Sequence, residues 1–253
     1  MNLNYLPLLG LQRELHRIPR SRARFEQYLR TIIKADGTDI DLLPMLAMNP
    51  MGKDHVAALL DAYLALDADG LGARTIAEVA AELADVPGDY KATLVVADDL
   101  MGGWTNRWDY EFTFRVGYGP AGKRFWGPFG LLWTSEPATE RAVRESLRAA
   151  AYRTAYMRQH GTAGTLRDIL IQEGWVMTKA GCEGPTLDPE DIEYTRHVLA
   201  PFLDATDKRT IMECLFGDAA GATLGFTPRG LSPWAGLALA LHDARAGDRI
   251  LIC

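Results

Sequence analysis

Two adjacent aspartates, Asp98 and Asp99, follow the apolar run Ala92-Thr93-Leu94-Val95-Val96-Ala97, and the chain then adds Gly102-Gly103, Trp104, Asn106, Arg107 and Trp108. Carboxylates at the C-terminal end of a buried strand, followed by a glycine pair that lets backbone approach a guest, suit ligand or metal binding. The set Asp98, Asp99, Trp104, Asn106, Arg107 and Trp108 is therefore the candidate ligand-binding group. Adjacent side chains on an extended backbone point in opposite directions, so the two aspartates do not form one acid/base pair. A structural alternative explains the same letters: a turn held by Asx hydrogen bonds and an ion pair to Arg107. The stretch lacks the glycine spacing and the Lys-Ser/Thr pair of a phosphate loop.

A second constellation is Glu190, Glu193 and His197. Spacings of three and four place them on one helix face, compatible with a metal if further ligands such as His160, Asp168 or Glu173 converge. An acidic first helical turn with an exposed histidine is the plainer alternative. His242-Asp243 at a helix C-terminus fits the helix dipole, and His55, beside Lys53 and Asp54, shows no base-orienting partner nearby in sequence. No Gly-x-Ser-x-Gly elbow occurs, and no cysteine carries a local catalytic signature. The sequence assigns no catalytic residue and no cofactor.

The elements that must position these groups are mainly helical. Helices are predicted from Ser21, over 52–66 and 70–83 as an αα-hairpin, over 140–160 and 166–180, from Pro189 with Asp188 as N-cap, and over 208–224 and 232–245. Residues 92–97 read as a buried strand. From Trp108 to Tyr118 the apolar residues alternate strictly, predicting a strand that turns at 119–123 and returns over 125–133 as an aromatic hairpin. Trp108, Phe112 and Arg115 also fall at helical spacing, so a helix there is the competing expectation. Ten of the 23 aromatic residues and four of the six tryptophans lie between Val95 and Trp133. The expected fold is thus mainly α (α+β), one globular domain over residues 1–253 with a small aromatic hairpin or short sheet at about 92–133. The alternative division is an α+β part over 1–134 and a helical part over 135–253.

At 253 residues, 48% of them hydrophobic, the chain can bury a full core. A net charge of −6 and a pI near 5.4 argue against nucleic-acid binding, which depends on an excess of Lys and Arg. Arginines cluster between Arg13 and Arg30, where a solvated face paired with acidic segments competes with an acidic partner. Three widely spaced cysteines indicate reduced thiols, and neither a signal peptide nor a membrane span is read, so a cytoplasmic protein is expected. The leading functional reading is binding of a small molecule or protein partner at the Asp98–Trp108 loop. An enzyme using acids and histidine, with or without a metal, is one rival. A self-associating interaction module built on the hairpin's apolar face is another.

Overall fold

The computed structural model describes residues 1–100, 106–116 and 127–247, with only the backbone of Phe114. The order of elements is β1 (Asn2–Tyr5), α1 (Leu9–Arg17), α2 (Arg22–Ile32), a short 3-10 helix (Leu43–Ala47), α3 (Asp54–Ala65), α4 (Ala68–Glu82) and β2 (Asp89–Ala97). Then follow α5 (Arg107–Val116), β3 (Phe129–Trp133), α6 (Glu140–His160), α7 (Leu166–Ala180), α8 (Pro189–Leu199), α9 (Lys208–Phe216), α10 (Asp218–Thr223) and α11 (Ala235–Ala246). The chain is predominantly α-helical with a small three-stranded sheet. It forms two compact units. One comprises Met1–Arg107 and Arg124–Ala155, the other Trp108–Lys123 and Tyr156–Cys253.

In the first unit the sheet order is β1-β2-β3, all parallel, with Asn2 opposite Asp89, Tyr5 opposite Ala92, Thr93 opposite Phe129 and Ala97 opposite Trp133. Residues 92–97 of the central strand are buried without a break, as a parallel strand covered on both faces must be. Full burial of each Val or Leu in such a run contributes about 1.5–3 kcal/mol. Because β1 is short, β2 outruns it, and the peptide of Val96 has no strand partner on that side. Gln12 of α1 replaces one: its Oε1 accepts from Val96 N at 2.9 Å and its Nε2 donates to Val96 O at 3.1 Å, both deep in the core. On the other side Gly127 has φ +138°, and a Cβ there would collide with the Lys91 carbonyl.

The second unit is helical and centred on α11, which packs on α7, α8 and α9. The α7–α11 crossing is close at Gly174, where a Cβ would stand 2.5 Å from the Ala240 carbonyl oxygen of α11. Asp188 caps α8 by accepting from Asp191 N at 2.8 Å, with Pro189 at the first helical position, as expected. The predicted helix over 208–224 is divided at Gly217 (φ +77°), which separates α9 from α10.

The strand expected at Trp108–Val116 is instead α5, and β2 and β3 are parallel neighbours, so the described residues contain no aromatic hairpin. Helical spacing decides the point. Trp108 lies 5.5 Å from the Phe216 ring and 4.8 Å from the Trp234 ring, Phe112 is buried, and Arg115 meets the fully buried Glu173 at 3.2 Å. These positions, i, i+4 and i+7, share one helix face but would not share one strand face. The proposed turn and the start of the return strand, 117–126, lie outside the described residues, as do Trp104 and the tail 248–253.

Candidate functional site

A polar grouping in the first unit lies at the C-terminal ends of β2 and β3. Strand β2 ends at Ala97 and delivers Asp98 and Asp99; β3 ends at Trp133 and delivers Thr134, Ser135 and Glu136. The two aspartates diverge as extended geometry requires. Asp98, only 2% exposed, turns inward: its Oδ1 lies 2.8 Å from His55 Nε2, its Oδ2 accepts from Asn49 Nδ2 at 2.7 Å, and the Leu100 amide donates to Oδ1 at 3.3 Å. Asp99 turns toward the β3 end, accepting from Ser135 N at 2.9 Å, Ser135 Oγ at 2.6 Å and Arg107 Nη1 at 3.3 Å. The Thr134 hydroxyl stands between them, 3.1 Å from Asp98 Oδ1 and 3.0 Å from Asp99 Oδ1.

Arg107 closes the outer side. It donates to Ser135 Oγ at 3.0 Å, pairs with Glu136, and lies over the Trp133 ring at 5.2 Å. The Arg107–Asp99 contact is the ion pair named in the structural alternative. Asp98 belongs to a different network. Burial pushes its carboxyl up, but hydrogen bonds from His55, Asn49 and Thr134, with the charge of His55, outweigh that and hold it below the ordinary carboxylate value.

Behind His55 lies His16 of α1, also buried. Its Nδ1 is 3.5 Å from Arg24 Nη1, and the Arg24 guanidinium is itself held by the Ile18 and Gly52 carbonyls at 2.6 and 3.2 Å. Burial, then the charges of Arg24 and Arg13, drive the His16 ring down to about 4, against an opposing pull from Asp98 and with a smaller push from His55. His16 is thus neutral at pH 7. Among the described residues, His16 Nε2 and His55 Nδ1 are both buried and have no hydrogen-bond partner. Each such nitrogen costs about 1–3 kcal/mol of desolvation that a bare fold has no reason to keep.

No protein-family model, curated protein or solved structure matches the chain. The chemistry of the site is accordingly read from its geometry.

Of the six residues expected to bind a ligand, Asp98, Asp99 and Arg107 converge as described. Asn106 is exposed, Trp104 lies outside the described residues, and Trp108 packs with Phe216 and Trp234 in the second unit. Trp108 is therefore a half-buried member of an aromatic cluster, placed there by the helical rather than extended course of 107–116. The metal trio Glu190, Glu193 and His197 lies exposed on α8, with Glu193 paired to Arg196 at 3.5 Å. Among the described residues no three His, Cys, Asp or Glu side chains come together as a metal set. One helix face supplies too few converging donors. The helpers anticipated for it are engaged elsewhere: Asp168 closes the capping box of Thr165, and Glu173 pairs with Arg115. Asp243, fully buried, takes the Arg196 fork at 2.8 and 2.7 Å, with His242 Nδ1 at 3.2 Å. The Arg13–Arg30 cluster is partly internal: Arg13 forks onto Asp61 at 2.6 and 3.0 Å, Arg22 pairs with Glu26 at 2.7 Å, and Arg24 is buried. Phe112 is buried.

Sequence reasoning missed His16, Gln12 and Asn49 and read His55 as structural or exposed. A signal existed for the first two. Leu9, Gln12, Leu15 and His16 recur at i, i+3, i+6 and i+7, so two polar residues lie within the apolar stripe of α1, where burial forces them to find partners. The pairing of His55 with Asp98, 43 residues apart, leaves no local trace.

Proposed function

We propose that the first unit binds a small polar molecule at the C-terminal edge of its parallel sheet, over the ends of β2 and β3. The observation that carries this reading is Asp98: a carboxylate 2% exposed, held by Asn49, His55 and Thr134 from three separate segments. Converging polar groups at this edge are where open parallel sheets hold their ligands, because the strand ends and the loops beyond them form the crevice. Asp99, Ser135 and Arg107 form the neighbouring wall. Their mutual hydrogen bonds fix that wall before any guest arrives.

The test is amide shift mapping of the 15N-labelled full chain with glycerol, D-ribose, L-serine and L-lactate, each added separately. The reading expects at least one probe to move the amides of Asp98, Asp99, Thr134 and Ser135 together, and Arg107→Gln to reduce that response while leaving the remaining spectrum dispersed. Shifts confined to other parts of the chain would sink it.

A further inference from the structure

The paired aspartates differ in one respect that bears on chemistry. Asp99 is tied to an arginine, which cannot give up its proton; Asp98 is tied to an imidazole, which can exchange one. An ionised carboxylate only accepts, so in the neutral form of His55 the 2.8 Å contact places the ring proton on Nε2. Nδ1 is then a bare lone pair, buried and without a partner among the described residues. His16 is held in the same tautomer, but with Nδ1 rather than Nε2 as its partnered nitrogen. Its Nδ1 faces a guanidinium, which only donates, so the proton of its neutral ring lies on Nε2, likewise buried and without a partner. One ring thus offers an acceptor and the other a donor. A ligand hydroxyl can donate to the bare His55 Nδ1.

We propose that His55 is the proton acceptor of this site, with Asp98 as its positioning residue, and that the ligand presents a hydroxyl to the His55 Nδ1 lone pair. This rests on the ligand-binding reading above and adds the class of ligand and a step. The hydroxyl hydrogen-bonds to Nδ1 and then transfers its proton there. The O–H bond breaks with its electron pair left on oxygen, an N–H bond forms, and the resulting imidazolium is offset by the Asp98 carboxylate against its Nε2–H. The orientation of Asp98 does not depend on His55 alone, because Asn49 holds the opposite oxygen at 2.7 Å. Aligning an imidazole in one tautomer through a buried carboxylate is the arrangement proton transfer at neutral pH requires.

The experiment is long-range 1H–15N correlation of the histidine rings in the full chain, alone and with the same four probes. The expected result is a His55 ring protonated at Nε2 with an unprotonated Nδ1. A hydroxyl probe that moves the Asp99 and Ser135 amides should also move the His55 Nδ1 resonance. In Asp98→Ala the single-tautomer pattern of His55 should be lost while His242, itself half exposed, keeps its own. The wild-type spectra decide the matter even if that variant does not fold. A His55 proton on Nδ1 overturns the inference alone. Amide shifts at the strand ends with an unmoved His55 ring also overturn it and leave the ligand-binding reading standing. No shift from any of the four probes overturns both.

Discussion

His16 makes the fold sensitive to acid in a defined window. In the folded chain its ring is held neutral down to about pH 4 by burial and by Arg24 and Arg13, with Asp98 opposing and His55 adding to the effect. In the unfolded chain it takes up its proton near the ordinary 6.5. Between those values the unfolded state holds one more proton than the folded state, so stability falls as pH falls. Above about 6.5 this group contributes no slope, and below about 4 both states are protonated and the slope ends. At about 1.4 kcal/mol for each pH unit, the full window amounts to about 3.5 kcal/mol, an upper figure because water reaching the ring would lessen it. That is a large part of the 5–15 kcal/mol that typically separates folded from unfolded domains. The assay is urea unfolding of wild type and His16→Gln from about pH 7.5 to about pH 4, comparing the difference in stability between the two rather than either value. A fixed offset from lost packing cancels in that comparison. Wild type should lose about 2–3 kcal/mol relative to the variant across the window. A difference that stays constant with pH would show that His16 titrates normally and that the burial argument is wrong. Asp98 does not confuse the reading: its folded value is below the ordinary 3.8, so its stabilisation is lost only at lower pH.

Two further outcomes follow from buried polar groups. Gln12→Ala removes both partners of the Val96 peptide at the point where β2 outruns β1. It should destabilise the first unit by about 2–4 kcal/mol, seen as faster exchange of the Val96 amide and a lower denaturation midpoint. Arg196→Met leaves the fully buried Asp243 without its fork and should cost the second unit about 3–5 kcal/mol in urea unfolding. The double variant Arg196→Met with Asp243→Leu should recover most of that loss; failure to recover any would mean that packing, not charge, sets the effect.

The local physics of the chain was legible without coordinates. Helices such as Glu140–His160 and Leu166–Ala180 follow from apolar residues at helical spacing, and the starts of α8 and the buried run of β2 follow from Asp188-Pro189 and from continuous apolar content. The opposed directions of Asp98 and Asp99 also follow from backbone geometry alone. Three kinds of fact were not local. Residues 107–116 satisfy two periodicities at once, and only the ring contacts of Trp108 and the burial of Phe112 and Glu173 select the helix. Strand β1 is four residues long, too short to show a period, and exists because Asn2–Tyr5 pairs with residues 87 positions further on. The site is the third. The sequence placed carboxylates at the end of a strand, but which of the two meets an imidazole and which meets an arginine depends on α3 and the β3 end reaching the same point. Hydrogen bonds over 43 and 36 residues are set by packing of whole elements, and no spacing rule in a single chain encodes them.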